Sequence, residues 1–169
     1  MKVLAERDYS KIVLMEDLEG KLFVEKTLYP NKQFSLDLYA QSYKNVFDLQ
    51  QTEFKCHIPE VYAVANLGNK LVIEMEYLKG YKRLEYGSSS IMTTLNLCIR
   101  LAEYGYAMID LAPINIMKKG EVHKLIDLDT LVKISDLPEK LIEADWMLSW
   151  FGSRVIKLVM GGGKWQDAL

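Results

Sequence analysis

Residues 108–117 read Met108-Ile-Asp110-Leu-Ala-Pro-Ile-Asn115-Ile-Met117, and shortly afterwards the chain reads Lys124-Leu-Ile-Asp127-Leu-Asp129. Pro113 makes the first segment loop-like, while Ile116-Met117 and His123 to Ile126 read as short strands around the turn Lys118-Lys-Gly120. Such a hairpin brings Asp110 and Asn115 to the same edge as Asp127 and Asp129. Carboxylate and amide oxygens from adjacent turns suit Mg²⁺, which takes a few such ligands and completes its shell with phosphate and water. Asp and Asn are also common turn residues that cap their own backbone, so the Asp-x-x-x-x-Asn spacing alone specifies no more than a turn.

Just before this edge, Ile91, Leu95, Cys98, Leu101 and Ala102 predict one face of a helix, N-capped within Ser88-Ser-Ser90 and closed by Gly105. Beyond it, Pro138 opens a last helix that buries Leu141, Trp146, Phe151 and Val155. In the first half, Ser10 to Met15 and Lys21 to Leu28 read as a hairpin turning at Gly20, with Lys2 to Ala5 a short strand before it. Phe34 to Thr52 lacks Gly and Pro and spaces Phe34, Leu38, Val46 and Leu49 as a helix does. Glu60 to Ala65 and Lys70 to Tyr77 form a second hairpin through Asn66-Leu-Gly-Asn69. Strands dominate the first half and helices the second, which predicts an α+β arrangement in two lobes rather than alternating βαβ units.

The 169 residues are 50% apolar and 26% charged, a globular composition with the length of one domain. With 21 Lys and Arg against 23 Asp and Glu, the net charge of -2 disfavours nucleic acid and anionic membranes as partners. Cys56 and Cys98 have no metal-ligand spacing and read as reduced core thiols. The longest uncharged run, Tyr86 to Ile99, is interrupted by Ser, Thr and Asn and falls short of the roughly 18 apolar residues that a spanning helix needs. The N-terminus acquires acids before any apolar stretch of signal-peptide length, so a cytoplasmic location is expected, with leaderless secretion as an effector the other route.

Lys26 is the anomaly of the first half, because period-2 alternation puts it on the face of Leu22, Val24 and Leu28, the face to be buried. From that segment alone, a lysine snorkelling to water near the strand end is the simpler expectation, and an anion-binding lysine the sharper one.

Taken in order, these segments resemble the protein kinase-like fold over about residues 10–160, including its small-molecule members such as the aminoglycoside and choline phosphotransferases. Val24-Glu-Lys26 looks like the lysine strand, and Val72-Ile-Glu-Met-Glu-Tyr-Leu-Lys-Gly80 like the last strand with gatekeeper Met75 and a hinge over Glu76, Tyr77 and Leu78. Residues 108–117 are similar to the catalytic loop and residues 125–129 to the metal-binding Asp strand, while Asp145 resembles the residue that opens a buried helix and braces that loop. The resemblance implies a small antiparallel-sheet N-lobe over residues 1–78, a hinge at 76–80 and a truncated helical C-lobe over 79–169. It implies ATP and Mg²⁺, with Mn²⁺ as a substitute, as cofactors. The resemblance further implies that Lys26 contacts the α- and β-phosphates and that Val24, Met75, Glu76, Tyr77 and Leu78 line the nucleotide. It implies likewise that Asn115 and Asp127 hold the metal with Asp129 a further acid beside them, and that Asp110 orients or deprotonates the acceptor hydroxyl.

The pattern departs from the family in places that bear on activity. Arg7-Asp8-Tyr9-Ser10 stands where a glycine-rich phosphate loop belongs. Met108 replaces a His, Ala112 replaces the Lys of protein kinases, and Asp129 stands where protein kinases carry Gly. Asp37 and Asp48 miss the spacing of the acid that partners the lysine, and Gln41 is nearer the expected inward stripe. Tyr77, Tyr81, Lys82, Arg83 and Tyr86 read as a solvated loop after the hinge. The function expected is an ATP-dependent phosphotransferase of the minimal bacterial or viral type acting on protein Ser/Thr, with a small-molecule kinase and a pseudokinase-like binding module as alternatives.

Overall fold

Asp17 sets the first register. Its Oδ1 accepts hydrogen bonds from the backbone N–H of Glu19 at 2.9 Å and of Lys21 at 2.8 Å, and Gly20 takes the left-handed φ of 81° that closes the turn. The strands it joins, β2 (Ser10–Glu16) and β3 (Leu22–Leu28), pair antiparallel with Ser10 opposite Leu28. The computed structural model describes residues 1–32, 35–85 and 87–136. Within them the chain divides into two units, one over Met1–Gly80 and one from Tyr81 onward, and they form a mixed α+β structure with a small antiparallel sheet and two helices.

The first unit is built on a five-stranded antiparallel sheet in the order β1-β2-β3-β5-β4, with β1 Lys2–Arg7, β4 Val61–Asn66 and β5 Leu71–Glu76. Helix α1 (Leu36–Gln50) starts at Ser35, whose hydroxyl accepts from the Leu38 N–H, and carries Asp37 in its first turn, where an acid suits the helix dipole. Its side-chain amide at Gln50 accepts from the Val61 N–H at 2.6 Å and donates to the Val61 carbonyl at 3.3 Å, which fastens the helix end to edge strand β4. Tyr43, Val46 and Leu49 of α1, Leu28 of β3 and Leu71 and Ile73 of β5 are buried together with Phe54 and Ile58 from the 3₁₀ turn Glu53–His57 and its exit.

The inward stripe of α1 holds Val46 and Leu49 as expected, Leu38 is half-buried, and Phe34 lies outside the described residues. Asn45 and Ser42 are its buried polar residues, whereas Gln41 is exposed and donates to Asn45 Oδ1 at 3.2 Å. Cys56 is exposed on the 3₁₀ turn rather than in the core.

The second unit opens with a two-residue strand, β6 (Lys82–Arg83), where a solvated loop was expected. It pairs with β8 (Ile116–Lys119), which pairs in turn with β9 (Val122–Leu125). Helix α2 (Ser88–Glu103) lies between, capped when Ser90 Oγ accepts from the Gly87 N–H at 2.9 Å and donates to the Gly87 carbonyl at 2.8 Å. Its buried face is Ser90, Thr94, Leu97, Cys98 and Leu101, and Ile91 points outward. The shift from the expected stripe is affordable because Thr94 Oγ1 donates to the Ser90 carbonyl at 2.7 Å, so neither hydroxyl is buried without a partner. Gly105 ends the helix at φ 81°.

Next come β7 (Tyr106–Met108) and β10 (Leu131–Lys133), which pair antiparallel. Among the described residues the second unit holds one α-helix and several short strands. The last helix and Asp145, Trp146 and Trp150 lie outside the described residues.

Two measurements check this packing. Ser42 Oγ is the buried side-chain oxygen that has no hydrogen-bond partner among the described residues. Ser42→Ala removes that burden and adds helix propensity, so urea unfolding should show stability raised by about 1 kcal/mol. Burial pushes the Cys98 thiol well above the usual thiol range, so a thiol reagent should label Cys56 in the native protein and reach Cys98 only after unfolding.

Candidate functional site

The polar residues singled out from the sequence fall in both units. In the first, Val24, Lys26 and Leu28 share a face of β3, and their Cα partners are Leu14, Ile12 and Ser10 on β2 and Met75, Ile73 and Leu71 on β5. Lys26 is 4% exposed. Snorkelling does not occur because β3 is the central strand and Ile12 and Ile73 flank the lysine from both sides. An ammonium taken out of water requires anionic or hydrogen-bonding partners around it. Glu25 and Glu74 are cross-strand partners, but pleating places them on the opposite face. The acids of α1, Asp37 and Asp48, are exposed.

Val24 and Met75 are direct cross-strand partners one step from Lys26, so the lysine and two of the proposed nucleotide-lining residues lie on one sheet face. Glu76 is occupied locally: its N–H donates to the Glu60 carbonyl at 2.7 Å and its Oε2 accepts from the Glu60 N–H at 3.2 Å. Tyr77 is half-buried with its carbonyl accepting from the Lys79 N–H at 2.8 Å, Leu78 is buried, and Gly80 turns the chain at φ 82°.

In the second unit the chain closes around Asp110. The Ile109 N–H donates to the Thr130 carbonyl at 3.1 Å and the Asp110 N–H donates to Thr130 Oγ1 at 3.1 Å. Asn115 Nδ2 donates to the Asp110 carbonyl at 2.9 Å, and the Ile126 N–H donates to the Asn115 carbonyl at 2.8 Å. These bonds gather Asp110, Asn115 and the residues beside Asp127 without any direct side-chain ion pair between them. Asp110 and Asp127 are exposed, while Asn115 and Asp129 are each 8% exposed. Asn115 sits in a 3₁₀ turn, Pro113–Asn115, whose Pro113 ring presets the φ of the turn.

Asp127 adopts φ 64° and ψ 49° and is the non-glycine residue with positive φ among the described residues. Left-handed backbone costs a side-chain-bearing residue of order 1 kcal/mol, less for Asp than for most, and residues kept in it cluster at functional sites. It leads from β9 into the 3₁₀ turn Leu128–Thr130, which carries Asp129 inward.

The donor set is of oxygen type throughout. With Nδ2 committed to the Asp110 carbonyl, Asn115 presents Oδ1 as its remaining polar atom, and Asp127 adds an exposed carboxylate. Among the described residues no group of three or more His, Cys, Asp and Glu could hold a metal ion by itself. An amide oxygen with one or two carboxylates fits Mg²⁺ or Mn²⁺ when phosphate oxygens complete the shell. Thr130 and Gln50 were not legible as organising residues, because each acts on a backbone group distant in sequence. No family model matches the chain, and no curated protein matches it.

Thr130 supplies a decisive test of this junction. Thr130→Val keeps the shape and removes the acceptor, so stability should fall by about 1 to 3 kcal/mol and Thr130→Ser should recover most of it. Hydrogen exchange should show the Asp110 amide deprotected in the Val variant alone, and unchanged protection would mean that Thr130 does not hold the loop.

Proposed function

We propose that the chain is an ATP-dependent phosphotransferase of the protein kinase-like fold, with two lobes and a hydroxyl acceptor, preferentially Ser or Thr of a protein. The observation that carries the reading is the junction of Asp110, Asn115 and Asp127, in which a loop Asp, an amide oxygen and a left-handed Asp are gathered by backbone bonds. The buried Lys26 beside Val24 and Met75 supports it.

Mg²⁺, when bound, would supply charge neutralisation to the phosphates, and Asn115 and Asp127, with Asp129 beside them in sequence, are the residues that would hold it. Lys26 binds the α- and β-phosphates, Val24 and Met75 pack on the base, and the backbone of Glu76 to Leu78 meets its edge. Asp110 orients the acceptor hydroxyl and takes its proton as the oxygen attacks the γ-phosphorus. The bond to the β–γ bridging oxygen breaks and ADP leaves. Such a reaction needs positioning and electrostatics more than covalent chemistry from the protein.

One observation favours a second reading, a nucleotide-free binding module. The β1–β2 connection is the tight turn Asp8-Tyr9, with Arg7 Nη1 donating to the Tyr9 hydroxyl at 3.0 Å and no glycine to admit phosphate against backbone amides. Among the described residues no helix is long and apolar enough to cross a membrane.

A thermal-shift titration separates the two. Mg²⁺-ATP at 100 times its dissociation constant stabilises a protein by about 2.7 kcal/mol, roughly 5 to 10 °C in Tm at this size. Asp127→Asn should abolish the metal-dependent part without unfolding, since Asn tolerates left-handed backbone. Lys26→Met should lose the nucleotide shift, and Lys26→Arg, which keeps the charge, should retain part of it. Asp110→Asn should keep the shift and lower turnover by about 10²- to 10⁴-fold. No shift of the wild type at millimolar Mg²⁺-ATP would favour the binding module, and labelling of metabolites but not peptides would move the acceptor to a small molecule.

A further inference from the structure

The most one-sided charge distribution in the described residues is the three-stranded sheet of the second unit. Strands β6, β8 and β9 carry Lys82, Arg83, Lys118, Lys119, His123 and Lys124 and no acid, in a chain whose net charge is -2. Register makes this more than a run of lysines. Lys82 lies directly opposite Lys118, and Lys118 directly opposite His123, so the three line up across one face. Like charges directly opposite each other destabilise a strand pair. No ion pair relieves Lys82 or Lys118 among the described residues, and both are exposed. The acids nearest along the chain, Glu85, Glu121 and Asp127, lie beyond the strand ends.

Position relates this row to the proposed catalytic loop. Strand β8 begins at Ile116, immediately after Asn115, and β9 ends at Leu125, two residues before Asp127. Lys118 is three residues beyond Asn115, about 10 Å at the strand rise of roughly 3.3 Å per residue. An extended acceptor spans the same distance in about three residues.

We infer that the β6–β8–β9 sheet docks an acidic stretch of the acceptor polypeptide, through Lys82, Lys118 and His123. The inference rests on the phosphotransferase reading and names its substrate class: a Ser or Thr segment with carboxylates about three residues from the hydroxyl. A short acidic segment fits better than nucleic acid. The row of two lysines and His123 crosses only three strands, about 10 Å, whereas the chain as a whole carries excess negative charge that opposes a long polyanion.

The test uses a labelled alanine-based Ser peptide with Glu three residues either side of the Ser, the same peptide with Gln, and a single-stranded oligonucleotide of matched charge. Fluorescence anisotropy at fixed salt should show the wild type binding the Glu peptide about tenfold more tightly than the Gln peptide, as expected for charge-assisted contacts. Lys82→Gln with Lys118→Gln, both exposed positions, should erase that preference, and Asp110→Asn should retain it. With Mg²⁺-ATP, the double variant should raise KM for the Glu peptide about tenfold and leave KM for the Gln peptide where it was.

Phosphoryl transfer to both peptides with equal KM overturns the docking surface while leaving the phosphotransferase reading intact. Charge-dependent binding through Lys82 and Lys118 with no transfer keeps the surface and overturns the phosphotransferase reading. Preference for the oligonucleotide over the Glu peptide overturns the acidic-polypeptide assignment.

Discussion

The backbone of Asp110 is held from both sides, its N–H by the Thr130 hydroxyl and its carbonyl by the Asn115 amide, and the second unit depends on that double anchorage. The neighbouring strands are too short to fix the loop themselves. β7 and β10 have three residues each and β6 has two, lengths at which isolated strand pairs are not stable in water. The Ile109 and Ile126 amides extend the same lattice to Thr130 and Asn115. Each bond contributes only about 1 kcal/mol net, but losing one leaves a desolvated group that costs more. Asn115 is therefore needed for shape whatever its chemistry, since its amide nitrogen holds the loop at the Asp110 carbonyl.

Asp127 shows a related economy. A chain leaving β9 for the turn at Leu128 requires positive φ there, and glycine is the residue that takes it without steric cost. Asp occupies the position with its carboxylate exposed. On the proposed reading the charge is the reason, since the strain remains where the ligand belongs. Asp129, turned inward by the same 3₁₀ turn, differs in accessibility although only one residue separates the two.

The first unit was legible in detail because its signals are local. Gly20 with Asp17, the alternation along β2 and β3, and the turn Asn66 to Asn69 each act within a few residues, and the hairpins formed where they predicted. What escaped depends on partners far along the chain. Lys82-Arg83 becomes a strand only because Met117 and Lys118 are there to pair with it. Lys26 looks like a strand-end lysine until Ile12 and Ile73 cover it. The face of α2 rotated because Ser90 and Thr94 satisfy their hydroxyls on the helix backbone and so can be buried, which hydropathy alone does not register. Of the candidate site, the proximity of Asp110, Asn115 and Asp127 followed from the hairpin between them, whereas Thr130 and the left-handed Asp127 did not.

Charge is distributed unevenly in both units. The strand β3 alternates Glu25 and Lys26, and pleating sends the acid to the face it shares with Glu74 and Glu76 and the cation to the buried face. In the second unit the same geometry lines Lys82, Lys118 and His123 along one side of a sheet that has no acid. Folding alone does not select the second arrangement, because two lysines directly opposite each other, Lys82 and Lys118, lower stability. A net charge near zero conceals them, since it averages an acidic sheet face against a basic one. On the proposed readings an anion is recognised in each place, phosphate at Lys26 and carboxylate at the Lys82–Lys118 pair, and that is the feature common to the catalytic and docking roles.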